Sequence, residues 1–254
     1  MYFCLLFLTT HLNFQNGFMK ILYIFPHPDD ESFGPAPAIS SQLRQGHEVH
    51  LLTLTKGEAT KQRFRLGIDK EEMGKIRYKE MKCVEKTLGL SGMTVLDLPD
   101  NELKKLNPIE IENVIEDQIH NLKPDVIITY AVHGISGFED HLVSHAVVKR
   151  VFCKLREQNT GYPHRLALFT RMGEVFTDGK FRLAVSDEAD IKFIEHCNDH
   201  DMQKFNAALD CYETYKEVID GSGVREVTTK EVPFEIFGEE IDGRLKSIVD
   251  GLES

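Results

Sequence analysis

Short apolar runs alternate with segments of helical periodicity along most of the sequence, and this alternation constrains the fold more than any other feature. The apolar runs are typical of strands and lie at 20–25, 48–55, 93–97, 125–130 and 165–170. The helical segments lie near 33–45, 70–89, 108–122 and 140–157. Such an order favours a parallel sheet with helices on both faces. We therefore predict an α/β fold, a single-domain, Rossmann-like and mostly parallel sheet.

The last part of the chain is less regular. Residues 181–185 and 232–237 are typical of strands, and the segment 202–219 is typical of a helix. No internal repeat, low-complexity tract or Pro/Gly/Ser-rich linker marks a domain boundary. A chain of 254 residues with 41% hydrophobic residues can build one sizeable core. We predict one domain, over residues 19–254.

Residues 1–18 do not fit this domain. The stretch from Tyr2 to Leu8 is apolar, but no Lys or Arg precedes it, and it is too short to span a bilayer. Met19 opens the first predicted strand in the manner usual for this fold. We therefore predict that residues 1–18 are a non-native or disordered extension from a start codon placed too early, with a signal peptide as the alternative.

A cluster of metal-type ligands follows the first predicted strand, in the order His27-Pro28-Asp29-Asp30-Glu31. The carboxyl end of a strand is where an open α/β sheet builds its active site. Histidine nitrogens and carboxylate oxygens suit zinc or ferrous iron. Two adjacent aspartates do not easily point the same way, so we predict that one binds a metal while the other takes a proton from metal-bound water. The alternative is a helix N-cap followed by acids that favour the helix dipole.

This stretch, from Pro26 to Gly34, resembles the signature of the LmbE-like, or PIG-L, deacetylase family. The resemblance implies an LmbE-like fold and a metal-dependent amidohydrolase that removes an acetyl group from an N-acetylglucosaminyl compound, for example a precursor of bacillithiol. It implies that His27 and Asp30 bind the metal and that Asp29 is the general base. We expect Zn²⁺, with Fe²⁺ or another divalent metal as the alternative.

The third metal ligand is expected after a second apolar run, at 126–130. The stretch 134–141 follows that run, and in the resembled family the matching stretch usually reads Gly-His-Pro-Asp-His. Carried onto this chain, the last histidine is His141. His133 lies in the same loop, and His145 lies one helical turn beyond His141, so that His141 and His145 share a helix face and remain open as a pair.

Two positions depart from the family pattern. Phe138 occupies the place of the first histidine of that motif, a proposed acid or electrophile, and a phenyl ring donates no hydrogen bond. Losing one such donor typically costs about a hundredfold to a thousandfold in rate. We predict that His133 replaces it as a catalytic donor; the alternatives are a slower enzyme, or a metal- and sugar-binding or sensor protein with weak turnover. Tyr212 replaces a second family histidine near the C-terminal helix.

Other stretches resemble the family's substrate-binding loops and helices. Glu58 ends a segment similar to a Thr-x-Gly-Glu loop at the rim of the site, and Asp100 matches an acid that holds a sugar hydroxyl. We expect both to bind substrate, although a turn-forming role after Pro99 is the alternative for Asp100. Arg77 belongs to a segment similar to an Arg-x-x-Glu helix, whose apolar spacing predicts that most of the helix is scaffold.

Charge and composition limit the partners. The chain carries 30 Lys and Arg against 41 Asp and Glu and has no dense basic stretch, which argues against nucleic acid. The acids after the first strand stand where a nucleotide-binding Rossmann enzyme needs a Gly-rich phosphate loop. We expect a small-molecule N-acetylated sugar conjugate as the partner and no membrane, and the sequence leaves a homo-oligomer open.

The five cysteines are widely spaced, with no Cys-x-x-Cys pair. This spacing predicts reduced thiols in a cytoplasmic protein rather than a disulfide framework or a cysteine zinc site.

Overall fold

A seven-stranded sheet forms the centre of the protein, in a computed structural model that describes residues 17–174, 176–177 and 182–252. The strands, in chain order, are β1 (Lys20–Phe25), β2 (Glu48–Thr55), β3 (Gly92–Leu98), β4 (Val126–Tyr130), β5 (Arg165–Phe169), β6 (Phe176–Thr177), β7 (Arg182–Leu183), β8 (Ile191–His196) and β9 (Glu231–Ile236). Strands β6 and β7 form a separate antiparallel pair.

The large sheet has the order β3-β2-β1-β4-β5-β9-β8. Its first five strands are parallel, and β9 runs antiparallel to both β5 and β8. The predicted mostly parallel, Rossmann-like α/β sheet is therefore confirmed.

Helices cover both faces of this sheet. They are α1 (Ala36–Arg44), α2 (Gln62–Leu66), α3 (Lys70–Leu88), α4 (Pro108–Leu122), α5 (Glu139–Glu157), α6 (Asp199–Asp210), α7 (Lys216–Ser222) and α8 (Val224–Val227). Side chains alternate across a strand, so β1 contributes to two cores. Its Tyr23 belongs to the core cluster that includes α1, α3 and α6, whereas Ile24 belongs to the one that includes α4 and α5.

Two elements differ from the sequence prediction. The predicted helix over 202–219 is interrupted: α6 ends at Asp210, a 3₁₀ turn covers Glu213–Tyr215, and α7 follows. The interruption lets the Tyr212 side chain enter the core, where it is 1% exposed. Strand β8 was not predicted, because its sequence, Ile-Lys-Phe-Ile-Glu-His, mixes charged and apolar residues.

The prediction of reduced thiols is wrong for two of the cysteines. Cys83 on α3 and Cys211 at the end of α6 form a disulfide, with their Cα atoms 5.7 Å apart. They are separated by 128 positions in the sequence, and only the packing of α3 against α6 brings them together. Cys153 and Cys197 are free, and Cys4 lies outside the described residues.

The extension predicted for residues 1–18 lies outside the described residues except for its last two positions. Met19, which directly follows it, is buried and precedes β1. Among the residues that the structure describes, no helix is both long and apolar enough to cross a membrane.

Candidate metal centre

Two loops at the carboxyl edge of the sheet bring the three predicted metal ligands together. β1 and β4 are parallel neighbours, so the chain leaves both strands at the same edge. His27 and Asp30 follow β1, and His141 lies in the first turn of α5, after the loop that leaves β4. One ligand atom from each of these three residues lies within 4.8 Å of the others.

The ring nitrogens of the two histidines show which atoms face the centre. His27 Nδ1 lies 3.5 Å from one oxygen of Asp30, and His141 Nε2 lies 3.2 Å from the other. The opposite nitrogens are held by the protein. His27 Nε2 lies 3.2 Å from Asp140 and 3.3 Å from Asp100, and His141 Nδ1 donates to the Gly134 carbonyl over 3.0 Å.

This arrangement fits a divalent metal. A metal-ligating histidine typically donates its second N–H to a carboxylate or a backbone carbonyl, which fixes the tautomer and leaves the first nitrogen free to bind the ion. His27 and His141 each have such a partner, and Asp30 supplies an anionic oxygen between them. Two imidazoles and one carboxylate form a donor set typical of catalytic zinc.

The loop geometry depends on close packing at His141. Gly134 has φ 60°, and a Cβ at that position would lie 2.9 Å from the Cβ of His141. Only glycine therefore fits without displacing the ligand. Tyr130 stacks on the His141 ring with centroids 4.3 Å apart and donates its hydroxyl to Asp30 over 2.8 Å. These contacts fix the orientation of both ligands.

The charges of the ligands are strongly coupled. Burial raises the pKa of Asp30, but His141 and His27 outweigh it and hold that pKa well below the usual range. Burial lowers the pKa of His27, but hydrogen bonds to Asp140 and Asp30 outweigh it and raise the pKa to about 10. Three carboxylates, of Asp30, Asp100 and Asp140, lie within 3.5 Å of the His27 ring nitrogens and favour a bound cation.

Asp29 and Asp30 point to different partners, as the sequence predicts. Asp29 has φ 86°, a conformation that few residues other than glycine adopt. Its carboxylate forms an ion pair with Arg77, whose guanidinium lies 2.8 Å away. Burial raises the pKa of Asp29 to about 6, although Arg77 opposes the shift. A carboxylate with a pKa near neutrality is suited to accept a proton.

Sequence reasoning missed the roles of two residues that hold Asp29. Arg77 is 1% exposed, donates also to the Pro28 carbonyl over 2.6 Å, and stacks on the ring of Tyr215 at 3.9 Å. The Arg-x-x-Glu motif was a signal for it, but the helical spacing around it predicted scaffold. For Tyr212 the sequence indicates only that a family histidine has been replaced.

The Tyr212 hydroxyl bridges two residues of the loop after β1, the backbone of Asp29 and the side chain of Glu31. It accepts the N–H of Asp29 over 2.8 Å and donates to Glu31 over 2.7 Å. Glu31 is fully buried and also accepts from the Ser32 hydroxyl. Burial raises the pKa of Glu31 to about 7, against the hydrogen bonds from Ser32 and Tyr212.

The two predicted substrate-binding acids lie beside the centre and contact each other. Glu58 accepts the backbone N–H of Asp100 over 3.0 Å. Asp100 is 3% exposed, accepts the N–H of Ala59 over 2.7 Å and approaches His27 with its other oxygen. Burial raises the pKa of Asp100, although His27 opposes the shift. Asp100 thus orients a metal-type ligand in addition to any contact with substrate.

Both ring nitrogens of His133 lie within hydrogen-bond distance of groups outside the candidate metal centre. Its Nδ1 accepts the N–H of Ile135 over 3.0 Å, and its Nε2 lies 3.2 Å from the hydroxyls of both Thr170 and Ser186. Burial lowers the pKa of His133. The donor role of His133 stays a prediction, and it requires Nε2 to leave these hydroxyls.

Phe138 and His145 lie on either side of His141 along the chain, at the N-cap of α5 and one helical turn beyond His141. Phe138 is the N-cap of α5, and its half-exposed ring meets the His141 ring edge-on with centroids 5.5 Å apart. His145 donates from Nδ1 to the Tyr130 carbonyl over 2.8 Å. Among the described residues, the metal-type group that contains His141 includes His27 and Asp30 but not His145.

Solved structures share the fold. The structure of a GalB hydratase from Pseudomonas putida KT2440 covers 89% of this chain and 99% of its own, with a TM-score of 0.63 and 13% identity. The structure of Dbv21, an antimicrobial A40926 pseudoaglycone deacetylase, covers 88% and 99%, with a TM-score of 0.61 and 17% identity. At these identities the likeness establishes the fold alone.

Sequence relatives are more specific. A 1D-myo-inositol 2-acetamido-2-deoxy-α-D-glucopyranoside deacetylase from Thermomonospora curvata is 30% identical over 154 residues, covering 52% of this chain and 51% of its own. This chain thus spans about half the length of that relative. A probable N-acetyl-α-D-glucosaminyl L-malate deacetylase 2 from Bacillus subtilis is 27% identical over 179 residues, covering 68% and 78%.

The family model described as GlcNAc-PI de-N-acetylase, PIG-L, matches residues 22–152, which is about half of the chain. The match includes both loops of the candidate metal centre. The chain belongs to the PIG-L family.

Proposed function

We propose that this chain is a metal-dependent N-deacetylase that hydrolyses the acetamide of an N-acetylglucosaminyl-type substrate. The observation that carries the proposal is the geometry of His27, Asp30 and His141, in which two histidine nitrogens converge on one carboxylate while their opposite nitrogens are held by the protein. Family membership and the names of the sequence relatives support the same reaction.

His27 Nδ1, Asp30 and His141 Nε2 would hold the metal, and zinc suits this donor set best, with ferrous iron as the alternative. When bound, a divalent metal polarises a carbonyl and lowers the pKa of water. The protein contributes the fixed tautomers of the two histidines, through Asp140 and the Gly134 carbonyl. The ligand atoms are thereby aligned before the ion arrives.

Asp29 acts as the general base. It accepts a proton from the attacking water, whose oxygen adds to the acetamide carbon. The C–N bond then breaks, and the departing amine takes up a proton, which protonated Asp29 supplies. Arg77 fixes the carboxylate by an ion pair over 2.8 Å. A pKa of about 6 lets this group both accept and release a proton near neutral pH.

We propose that Glu58 and Asp100 bind the sugar. Both lie on the side of the centre toward β2 and β3, and Glu58 Oε2 has no hydrogen-bond partner among the described residues. Carboxylates at such positions accept hydroxyl donors of a sugar. The substrate is then a small N-acetylated sugar conjugate, and an L-malate glucosaminide such as a bacillithiol precursor fits this class.

A second function is favoured by Phe138. Its ring stands beside His141 where the resembled family has a donor, and His133 points to other partners. A protein that binds metal and sugar with weak turnover would have these features. Binding of an N-acetylated sugar by the zinc-loaded protein, with no acetate released, would favour this function over the deacetylase.

The Asp29→Asn variant tests the deacetylase directly. We expect acetate release from N-acetyl-α-glucosaminyl L-malate to fall about a hundredfold or more, because the amide cannot accept the proton, while bound metal is retained. Asp117→Asn, on the exposed side of α4, is the matched control and should keep the wild-type rate. Unchanged turnover of Asp29→Asn at full metal content would remove Asp29 from the base role.

A further inference from the structure

A cavity of about 440 Å³ lies at the carboxyl end of β5, and in the sheet β1 and β4 lie between β5 and β3, the strand that Asp100 follows. Its walls are formed by residues 169–172 after β5, by residues 227–233 leading into β9, and by Gly34 of the metal loop. The function proposed above does not use this space.

The cavity adjoins the metal centre through two contacts. Gly34 belongs to the same loop as the ligands His27 and Asp30, and a Cβ at Gly34 would lie 2.7 Å from the Phe169 ring. Thr170 binds His133, which lies in the loop that leads to His141. Wall residues of the cavity therefore contact both loops that carry the metal-type ligands.

Arg171 lines this cavity without a partner for its charge. Its Nε is shielded from solvent and has no hydrogen-bond partner in the described part of the chain, where no carboxylate is within ion-pairing distance. Thr228, on the opposite wall, also has a buried hydroxyl without a partner. Burial lowers the pKa of Arg171. Unpaired buried donors are costly, and a bound ligand or an ordered water satisfies such a donor.

The other charged residues in the wall already have partners. Lys230 forms an ion pair with Asp199 over 2.6 Å. Glu231 lies 3.7 Å from His196. Among the described residues of the wall, Arg171 is therefore the cation without an ion-pair partner, and a guanidinium binds carboxylate or phosphate through two parallel hydrogen bonds.

We propose that Arg171 and Thr228 bind an anionic group, a carboxylate or a phosphate, on the aglycone of the substrate. The inference rests on the proposed deacetylase function and narrows its substrate class. In an N-acetylglucosaminide the acetamide is on C2 and the aglycone is on C1, so an acetamide at the metal centre places the aglycone next to it. The sugar then lies toward Asp100, and the aglycone lies toward Arg171.

The names of two relatives illustrate the distinction. The Bacillus subtilis relative is named for an L-malate glucosaminide, whose aglycone carries carboxylates, and the Thermomonospora curvata relative is named for an inositol glucosaminide, whose aglycone is neutral. Arg171 favours the charged class for this chain.

The experiment compares three substrates that differ at C1: N-acetyl-α-glucosaminyl L-malate, N-acetyl-α-glucosamine 1-phosphate and the neutral methyl N-acetyl-α-glucosaminide. Acetate release gives kcat/KM for the zinc-loaded wild type, for Arg171→Gln and for Arg171→Lys. Arg156→Gln, an exposed arginine on α5, is the matched control for net charge.

We expect Arg171→Gln to lower kcat/KM about tenfold to a hundredfold more for an anionic substrate than for the neutral one, because a charge-assisted bidentate contact is lost. Arg171→Lys should recover part of the loss. A greater effect on the malate conjugate identifies a carboxylate ligand, and a greater effect on the phosphate conjugate identifies a phosphate. Equal effects on all three substrates, or none, would overturn the inference.

A binding measurement separates this inference from the proposed function. Glucosamine 1-phosphate and glucosaminyl L-malate carry no acetyl group, so calorimetric titration with them does not depend on turnover. Failure of the wild type to release acetate from any substrate would refute the deacetylase, and the titration would still decide the cavity. Weaker binding of either anion to Arg171→Gln supports the assignment; equal affinity, or no binding to the wild type, contradicts it.

Discussion

Tyr212 shows how one residue can hold a catalytic loop without contacting the metal ligands. Its hydroxyl accepts the N–H of Asp29 and donates to Glu31, so it holds the backbone of Asp29 and the buried carboxyl of Glu31 at once. A histidine was expected at this position from the family resemblance. The longer tyrosine reaches the loop from the break after α6, where its ring is buried.

We predict that Tyr212→Phe destabilises the protein and slows the reaction. The change leaves the N–H of Asp29 without this partner, whereas Glu31 keeps its hydrogen bond from Ser32, and an unsatisfied buried group costs about 1–3 kcal/mol. The midpoint of thermal unfolding should fall by about 2–4 °C for each kcal/mol. The control is Tyr162→Phe, which removes a hydroxyl that is hydrogen-bonded to His120, near the C-terminal end of α4. An unchanged midpoint and rate in Tyr212→Phe would contradict this role.

The position of Phe138 leads to a gain-of-function prediction. A histidine at the N-cap of α5 could donate a hydrogen bond to the carbonyl or the amine of a substrate beside His141. We expect Phe138→His to raise the rate of acetate release at least about tenfold, which is a part of what one such donor supplies in other enzymes. The assay compares both proteins at equal metal content. An unchanged or lower rate would show that a donor at this position does not limit the reaction.

His133→Ala tests the donor that was predicted from the sequence. If His133 donates during the reaction, its removal should cost about a hundredfold in acetate release. If its role is to bind Thr170 and Ser186, as the structure shows for its Nε2, the rate should stay near that of the wild type, and the melting temperature should fall instead.

At the scale of elements, an ion pair between buried Asp201 and partly exposed Arg44 connects α6 to α1. Asp201 is the third residue of α6 and completes a capping box with Asn198. Its carboxylate also accepts from Ser40 over 2.9 Å and from Arg44 over 2.9 Å, and its side chain is fully buried. Although burial opposes it, the hydrogen bond from Arg44 lowers the pKa of Asp201.

We predict that Asp201→Asn lowers the free energy of unfolding at pH 7 by about 1.5–3 kcal/mol, the range for hydrogen bonds to charged groups. A lowered pKa in the folded state means that ionised Asp201 stabilises the fold above the unfolded pKa of about 3.9 and that this contribution is lost as the pH falls further. Urea titrations near pH 7 and near pH 3 should therefore show a difference that shrinks in acid. Asp199→Asn, whose side chain is exposed on the same helix, is the control, and a difference that does not depend on pH would refute the ionic role.

Elements with clear sequence periodicity could be predicted, whereas those set by tertiary contacts could not. Strands β1, β2, β4 and β5 are apolar runs because both of their faces are largely buried, whereas the edge strand β3 is only partly buried. β8 carries Lys192 and Glu195 between its apolar residues, and Glu195 is buried because Ser41 and Gln45 of the α1 region donate to it. The position of such a strand depends on partners that are distant in sequence.

At the scale of the whole molecule, the sheet places residues from distant parts of the chain around one edge. His27 and Asp30 could be predicted because they are adjacent in sequence and follow a buried strand. His141 could be placed by resemblance to a second loop. Arg77 could not, because its helix shows ordinary amphipathic spacing and its contact with Asp29 exists only after α3 packs against the loop. Arg171 could not, because its lack of a partner is visible only in the folded cavity.

The disulfide between Cys83 and Cys211 also depends on a contact that forms only in the folded protein. No local pattern marks it, and it joins α3, which carries Arg77, to the end of α6, which precedes Tyr212. The helix that carries Arg77 and the helix that precedes Tyr212 are thus covalently connected in the folded protein.

The central claim is that His27, Asp30 and His141 bind one catalytic metal, and the most direct measurement is metal content together with acetate release for His141→Gln and His145→Gln. We predict about one zinc per chain in the wild type and in His145→Gln, because His145 faces the Tyr130 carbonyl. His141→Gln should lose both the metal and acetate release. Full metal content in His141→Gln, or acetate release by wild-type protein that has been stripped of metal, would contradict the account.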